Sequence, residues 1–560
     1  MAEIKSIASF IPANRLEIEE LVDHYHAMSQ LNYKIALRMM KRTVNRFRGK
    51  ALSSVRWIYN QRLMLREKIV PGPNEDALTA GIQSFNYAIK RAGIEPHQID
   101  ALFVVSESYP YAVKSSTAIA GKTGVTNLRF GVRGEFACKP FGEFLEIGAA
   151  LIDADRCRYV AITATDASQG APGDDLEFSA SFYSTTMILG KDDDGGIASL
   201  QGRTSVNYDF SDFIRKEGNP FPEHEGQGTS LAFRGMILSA VKKHVERYEL
   251  PPDCLPNKTW VIHSPNGSFP NEALLDVSNH FGINLAKKKF DDDGKMLGIE
   301  PQVNISNLAP EIANGYSATV PTALCAAMET AAKGDEIMTV LYGSGAGSDV
   351  ISIKLKADGT EVANNGVPTV REQIDYKQKI SVEDYITFRD KPEKAAKHIA
   401  LLEVEPISKE FYQVDGCPEC GAVYFGDSWS ADNFPDFSPP KKFEALKGKC
   451  LRGIQKDKSD AKRICGAKLE KLKVPKRAKI KKVCFYGGKK QSGHPENPYW
   501  SMFEQKMVRA FNYNPKICNF SEGQEVKAVI GRWRPTPKDW VPILYVPMYA
   551  PLRRDFAKKK

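Results

Sequence analysis

The sequence lacks long apolar runs: no stretch approaches the ~20 residues that a membrane-spanning helix needs. The apolar patch near its start, residues 7–11, is too short for the hydrophobic segment of a signal peptide. Cysteine is scarce, with 10 residues scattered over 560, which excludes a secreted disulfide-rich scaffold. We therefore expect a cytoplasmic protein that does not enter a membrane.

The composition is that of a globular protein, with 42% hydrophobic residues in a chain long enough for roughly three or four domains. The net charge is +9, and basic residues crowd the segment 441–490. Such a segment is typical of a surface that binds an anionic partner, either nucleic acid or the phosphates of a nucleotide-tailed cofactor. An ordinary solvated charged surface is the alternative.

The segment 134–152 places a cysteine at the start of an apolar helix. Apolar residues recur every three or four positions from Phe141 onward, and Pro140 suits the first turn of a helix. Cys138 would then stand at the helix N-terminus, where free N–H groups and the helix dipole favour a thiolate. A thiolate there can carry an acyl group, whereas a buried structural cysteine is the alternative.

Strand and helix patterns alternate in two similar halves. A buried strand over residues 99–105 is followed by Glu107, and a strand over residues 258–263 ends in His263. Two such halves indicate packed βαβ layers of an α/β protein, although this alternation occurs in many folds. We assign residues 1–200 and 201–400 to the two halves.

Glu107, Cys138 and His263 are the residue types that carbon–carbon bond formation through a thioester requires. A thiolate takes the acyl group, a carboxyl group moves a proton, and an imidazole holds the carbonyl oxygen as charge develops on it. Taken singly, Glu107 could be a solvated loop carboxylate and His263 a core histidine.

The C-terminal third begins with a cysteine pair that suits a metal. Cys417 and Cys420 are separated by two residues and followed by glycine, which presents two thiolates on one tight turn. With Cys450 and Cys465 they predict a structural Zn²⁺ site in a zinc ribbon over residues 401–475, free thiols in a reducing cytosol being the alternative. Short strands with aromatic residues and prolines predict a small OB-like β-barrel over residues 476–560.

Six segments occur in the same order as in hydroxymethylglutaryl-CoA synthases, especially the archaeal kind, and resemble them. They are a general-base loop (106–114), a nucleophile segment (135–139), the loop that follows (165–174), a histidine motif (263–270), an asparagine loop (314–317) and a glycine-rich turn (342–349).

The resemblance implies a thiolase-type fold, a five-layered αβαβα core of two similar halves, in a homodimer that uses acyl-CoA substrates. It implies that Cys138 is acylated, that Glu107 is the general acid/base, and that His263 positions the second acyl-CoA. It further implies a set of substrate-binding residues: Asn314, Tyr316, Gly343, Ser344 and Gly345. The expected function is that of an acyl-CoA condensing enzyme.

The predicted zinc ribbon and barrel resemble the OB-fold proteins that accompany thiolases and archaeal hydroxymethylglutaryl-CoA synthases. The resemblance implies that this region helps to bind coenzyme A or contacts a thiolase or another pathway enzyme. A nucleic-acid-binding or CoA-binding scaffold is the rival from another class, because zinc ribbons and OB-folds often bind single strands.

Three features depart from the synthase pattern. Pro140, Phe141 and Glu143 follow the nucleophile where small residues are expected, bulky aromatics occupy 181–184, and the insert around 25–66 is unusually long. Larger side chains near an acyl pocket change which acyl group fits. A related ketoacyl synthase or thiolase-like acyltransferase with a different acyl substrate is therefore the alternative.

Overall fold

The computed structural model describes most of the chain, and the structural statements below concern these ranges: 1–40, 47–108, 115–167, 170–192, 195–210, 212–215, 219, 221–224, 226–390, 399–416, 423–425, 453–454, 463–464, 468–486, 508–509, 520–533 and 544–551. The chain forms two compact units. The first comprises Met1–Val70, Ala80–Ala120 and Val125–Tyr385, and the second comprises Pro71–Thr79, Gly121–Gly124 and Ile386–Lys560.

The strands of the first unit alternate with helices. In chain order they are β1 (Ala2–Phe10), β2 (Asn14–Glu17), β3 (Glu67–Ile69), β4 (Ile99–Val105), β5 (Phe130–Gly134), β6 (Tyr159–Ala167), β7 (Phe182–Lys191), β8 (Ala198–Phe210), β9 (Phe213–Ile214), β10 (Glu223–His224), β11 (Thr259–Ile262), β12 (Ala286–Phe290), β13 (Met296–Pro301), β14 (Glu336–Gly343), β15 (Gly345–Leu355) and β16 (Gln378–Lys379).

The α-helices of the described ranges are α1 (Ile18–Ser29), α2 (Tyr33–Met40), α3 (Leu52–Trp57), α4 (Ala77–Ala92), α5 (Ser115–Thr123), α6 (Pro140–Asp153), α7 (Asp175–Ser179), α8 (Gly226–Arg247), α9 (Phe269–Phe281), α10 (Ala309–Ile312), α11 (Thr319–Met328), α12 (Gly359–Val362), α13 (Val370–Asp375) and α14 (Val382–Asp390). A π-helical turn, Ile58–Arg62, continues α3. No helix in these ranges combines the length and the apolar character needed to cross a membrane.

The main sheet has the strand order β11-β14-β15-β8-β1-β7-β6-β4-β5 among the described residues. In one half β4 is parallel to β6, which pairs antiparallel with β7, and β7 pairs antiparallel with β1. In the other half β11 is parallel to β14, which pairs antiparallel with β15, and β15 pairs antiparallel with β8. The halves repeat one topology and join where β1 meets β8.

Two predicted elements near the candidate site form where the sequence predicts them. β4 spans residues 99–105 as predicted, and α6 begins at Pro140 in its first turn. Phe141, Leu145 and Ile152 lie buried on the inner face of α6. A side chain at Gly148 would come within 3.1 Å of Val160, so this glycine lets α6 lie close to the sheet.

The strands of the second unit form three small sheets. They are β17 (Ile399–Pro406), β18 (Phe411–Gly416), β19 (Val423–Phe425), β20 (Gly453–Ile454), β21 (Arg463–Ile464), β22 (Glu470–Pro475), β23 (Arg477–Tyr486), β24 (Val508–Arg509), β25 (Glu525–Trp533) and β26 (Leu544–Pro551). One sheet has the order β24-β17-β23-β25-β26, another has the order β19-β18-β22, and β20 pairs with β21. β17 pairs with β23. Residues 411–475 therefore lie, in sequence, between two strands that are neighbours in one sheet.

The predicted zinc ligands Cys417, Cys420, Cys450 and Cys465 lie outside the described residues. Within the described ranges, no group of three or more His, Cys, Asp or Glu side chains is arranged to hold a metal ion.

Candidate active site

Glu107 and His263 occupy equivalent places in the two halves. Glu107 lies two residues beyond the end of β4, and His263 directly follows β11. Each of these strands pairs in parallel with the next strand inward in its own half. The internal repeat therefore carries a carboxyl group and an imidazole to corresponding strand ends.

Cys138 lies just before α6, where the backbone is strained. Ala137 has φ of 43°, in the left-handed region that a residue with a side chain seldom adopts. The Cys138 Sγ atom lies 4.0 Å from Glu107 Oε2. The neighbouring Lys139 is fully buried, with its Nζ 3.1 Å from Asp349 Oδ1. The buried ion pair between Lys139 and Asp349 thus fixes the loop that presents the thiol.

The prediction that the resting Cys138 is a thiolate is wrong. Burial raises the pKa of this thiol well above its usual value, and the carboxylates of Glu107 and Asp166 raise it further, while a hydrogen bond from Asn314 lowers it. Removing a charge from water outweighs the helix N-terminus here. The raised pKa favours the protonated thiol over the thiolate.

The pKa of Glu107 is also raised. Burial raises the pKa of its carboxyl group, and Asp166 and Glu135 raise it further, whereas Arg215 lowers it. A carboxyl group with a raised pKa holds its proton more readily and, once ionised, is a stronger base. This environment suits the role of general acid/base predicted for Glu107.

Asp166 is the residue that the sequence prediction of the site missed. Its buried Oδ1 accepts hydrogen bonds from the backbone N–H groups of Glu107 and Ser108, at 3.0 and 2.8 Å. Its Oδ2 accepts from the backbone N–H and the hydroxyl of Ser317, at 3.0 and 2.5 Å. One carboxylate thus joins the Glu107 loop to the asparagine loop. Its place inside the 165–174 motif is the only sequence signal that could have identified it.

His263 is buried and uncharged. Burial lowers the pKa of its imidazole to about 3. The centroid of its ring lies 6.5 Å from that of Phe233 and 6.4 Å from that of Tyr342. Among the described residues its Nδ1 has no hydrogen-bond partner. A neutral imidazole can donate a hydrogen bond to an oxygen but has no positive charge to offer it.

The asparagine loop turns sharply before α11. Asn314 Oδ1 accepts hydrogen bonds from Tyr316 N at 2.9 Å and from Thr319 Oγ1 at 2.7 Å. With this oxygen occupied, the amide NH₂ of Asn314 is left to donate to the Cys138 thiol. The hydroxyl of Tyr316 is buried and has no hydrogen-bond partner among the described residues.

The glycine-rich turn joins β14 to β15 and packs against the nucleophile loop. A side chain at Gly343 would come within 2.6 Å of the carbonyl oxygen of Phe136, so only glycine fits there. Gly345 has φ of 127°, and its N–H donates to Asp212 Oδ1 at 3.0 Å. The turn therefore needs glycine at both positions.

A cavity of about 830 Å³ brings most of the predicted residues together: Cys138, His263, Asn314, Tyr316 and Ser344 line it. Gly343 and Gly345 do not line this cavity, and Glu107 reaches it through its contact with the thiol.

The long insert forms another part of the cavity wall, which the sequence did not predict. Its contributing residues are Lys50, Val55, Ile58, Tyr59, Arg62, Leu63 and Leu65. The Tyr59 ring stacks on Phe178 at 4.4 Å, and the Tyr59 hydroxyl donates to Asp175 Oδ1 at 2.9 Å. The insert is thus anchored to other residues of the first unit and helps to shape the cavity. Residues 109–114 and 168–169 of the quoted motifs lie outside the described residues.

No protein-family model matches the chain. The hydroxymethylglutaryl-CoA synthase of Thermoplasma acidophilum is 36% identical to it over 340 residues, which cover 58% of this chain and 90% of that protein. The same enzyme of Methanobrevibacter smithii is 35% identical over 332 residues, covering 59% and 89%.

Two solved structures resemble the fold. An HMG-CoA synthase complexed with CoA gives a TM-score of 0.55 at 16% identity, covering 73% of this chain and 93% of that chain. MvaS in complex with 3-hydroxy-3-methylglutaryl coenzyme A gives a TM-score of 0.54 at 14% identity, covering 70% and 91%. The predicted thiolase-type core of two similar halves is confirmed by this likeness.

Proposed function

This chain belongs to the hydroxymethylglutaryl-CoA synthase family and is an acyl-CoA condensing enzyme, and we propose that Cys138, Glu107 and His263 carry its reaction. The 4.0 Å approach of the Cys138 thiol to the Glu107 carboxyl group, beside a cavity that His263 lines, is the observation that carries this assignment. Coenzyme A is the substrate carrier.

In the first step the Cys138 sulfur attacks the thioester carbonyl of an acyl-CoA. A bond forms between that sulfur and the acyl carbon, the bond to the CoA sulfur breaks, and the thiol proton leaves with CoA. Asn314 lowers the pKa of the thiol and so assists its deprotonation.

In the second step the Glu107 carboxylate removes a proton from the carbon next to the Cys138-bound carbonyl. That carbon then bonds to the keto carbon of a second substrate, a 3-ketoacyl-CoA, whose keto oxygen takes the electron pair and then a proton from Glu107. Neutral His263 donates a hydrogen bond to this oxygen and holds it in place. Water then cleaves the thioester to Cys138 and frees the product.

Intact-mass analysis after incubation with acetyl-CoA tests the assignment. We expect a single acetyl adduct on the wild type and none on Cys138→Ala. Glu107→Ala should still acquire the adduct but form no condensation product. An adduct that persists in Cys138→Ala overturns the role of the thiol, and a screen of other acyl-CoAs tests the alternative of a different acyl substrate.

We also propose the structural Zn²⁺ in the C-terminal region. The first cysteine pair lies in the sequence between β18 and β19, which pair antiparallel. In the sequence Cys450 precedes β20 and Cys465 follows β21, and these two strands pair antiparallel. Metal analysis should find one Zn²⁺ per chain, which Cys417→Ser removes with a fall in thermal stability. A metal-free protein overturns this proposal.

The remaining partners follow from the same family resemblance. We propose a homodimer and, for the C-terminal region, contact with a thiolase or another pathway enzyme in the cytoplasm. The edge strand β5 supports the dimer, because Val132 is 46% exposed on a strand that has a pairing partner on one side only among the described strands. Measuring the sedimentation of the purified protein tests whether it is a dimer. Salt-dependent oligonucleotide binding that CoA competes weakly would favour the rival nucleic-acid scaffold instead.

A further inference from the structure

Tyr183 is one of the bulky aromatics that depart from the synthase pattern, and it lies beneath the asparagine loop. Its ring is buried on β7. Its hydroxyl accepts a hydrogen bond from Gly315 N at 2.8 Å and donates to the carbonyl oxygen of Ala313 at 2.9 Å. A side chain at Gly315 would come within 2.5 Å of the Tyr183 ring, so the phenol and the glycine fit only together.

The turn that this hydroxyl holds is strained on both sides of Asn314. Ala313 has φ of 53° and Tyr316 has φ of 50°, conformations that persist only when surrounding contacts impose them. The Tyr183 hydroxyl also lies 3.2 Å from Thr319 Oγ1, which in turn donates to Asn314 Oδ1 at 2.7 Å. One phenol thus contacts the backbone and, through Thr319, the side chain of the turn.

We infer that Tyr183 is a positioning residue for the nucleophile: its hydroxyl fixes the turn that aims the Asn314 amide at the Cys138 thiol. The inference rests on the proposed role of Cys138. Tyr183 itself touches neither substrate nor the reacting atoms in this arrangement. Its effect passes entirely through Asn314.

Because acidic groups face the thiol, the orientation of the Asn314 amide matters for the pKa of Cys138. The carboxylates of Glu107, Asp166 and Asp212 all raise the pKa of Cys138, and the hydrogen bond from Asn314 opposes them. The phenols of Tyr316 and Tyr342 are held neutral by burial, which raises their pKa values. His263, in the same cavity, carries no charge.

The rate of Cys138 alkylation by iodoacetamide between about pH 7 and pH 10 tests the inference, with the Cys138→Ala protein as the blank. If the turn is released, the thiol of Cys138 loses its hydrogen bond from Asn314. Cys138 in Tyr183→Phe should therefore be alkylated roughly fivefold more slowly than in the wild type. Asn314→Ala should show a similar loss, and adding Tyr183→Phe to it should change nothing further. Thr185→Val, on the same strand, is the control, because its hydroxyl contacts Ser9 and Thr322 instead; its alkylation should equal that of the wild type.

An unchanged alkylation profile in Tyr183→Phe, or an equal loss in the Asn314→Ala background, overturns the inference. Should Tyr183→Phe not fold, Thr319→Val removes the contact that links Tyr183 to Asn314, and an unchanged profile there overturns it equally. Alkylation needs no acyl-CoA. A protein that shows these shifts but forms no acyl adduct would therefore refute the proposed reaction and leave the positioning role standing.

Discussion

The carbonyl oxygen of Leu63 accepts a hydrogen bond from the backbone N–H of Gly267 at 2.9 Å. This bond ties the insert to the loop that follows His263. A side chain at Gly267 would come within 2.7 Å of Met64, against both its Cβ and its carbonyl oxygen. The insert therefore closes against a position where only glycine leaves room.

Gly267→Ala should push the insert away from the cavity. Overpacking of this kind destabilises by roughly 1–3 kcal/mol, and we expect a lower melting temperature together with a raised KM for acyl-CoA. Gly235→Ala is the matched control: nothing lies within 4 Å of that position in α8, so alanine should stabilise slightly and leave KM unchanged. Equal KM values for the Gly267→Ala protein and the wild type would contradict the inference that the insert forms part of the wall of the substrate cavity.

Asp166→Asn should separate thiol reactivity from condensation. The substitution removes a negative charge that raises the pKa of Cys138, so alkylation of the thiol near pH 8 should become faster. An amide cannot accept all the hydrogen bonds from Glu107, Ser108 and Ser317, so the condensation rate should fall by roughly tenfold or more. Alkylation kinetics and product formation measure the two effects. A fall in both rates would show that Asp166 acts only on folding.

Glu107→Gln should abolish the proton transfer and lower the condensation rate by roughly 10²–10⁴-fold. In the wild type the condensation rate should rise with pH through the raised pKa of Glu107, because the carboxylate is the form that removes the proton. That limb should be missing from the residual rate of Glu107→Gln. A pH profile that keeps it assigns the titration to another group.

The same raised pKa makes a prediction for stability. A carboxyl group whose pKa is higher in the folded than in the unfolded state contributes stability below the unfolded pKa and loses it as the pH rises through the folded value. Glu107→Gln keeps a neutral side chain throughout. Its unfolding free energy should therefore increase relative to that of the wild type as the pH rises above the usual range of a glutamate. Denaturant unfolding at several pH values measures this, and a constant difference would contradict the burial of the charge.

Lys139→Met should destabilise the protein strongly. It removes the partner 3.1 Å from the buried carboxylate of Asp349 and leaves Arg203, at 3.6 Å, as its remaining ion-pair partner. Breaking such a pair from one side typically destabilises by about 3–5 kcal/mol. Lys191→Met, which removes a partly exposed pair with Asp155, should change the unfolding free energy by less than about 1 kcal/mol. Equal losses for the two variants would show that the buried pair has no special weight.

Local pattern was sufficient for much of the fold and for the order of the site residues. Apolar periodicity predicted β4 and α6, because side-chain spacing along a helix or strand is a property of neighbouring residues. The motifs around Cys138, His263 and Asn314 predicted which residues to examine, and the structure places all three along one cavity. Their roles in the reaction stay predictions.

Local sequence patterns could not predict the environments of the side chains. The thiol was predicted to be an anion from its helix N-terminus, but its pKa depends on burial and on carboxylates that lie 31 and 28 positions from it in the chain, at Glu107 and Asp166. Likewise, the insert was recognised as a departure, yet its packing on Phe178 and Gly267 depends on contacts between distant segments.

The sequence by itself determined the family, the two-half plan and the candidate nucleophile, since each is written in short runs of residues. Only the tertiary structure decided the charge on that nucleophile, the part that Asp166 plays and the wall that the insert provides. The physical reason is that desolvation and electrostatic interaction act through space, and folding sets the distances over which they act.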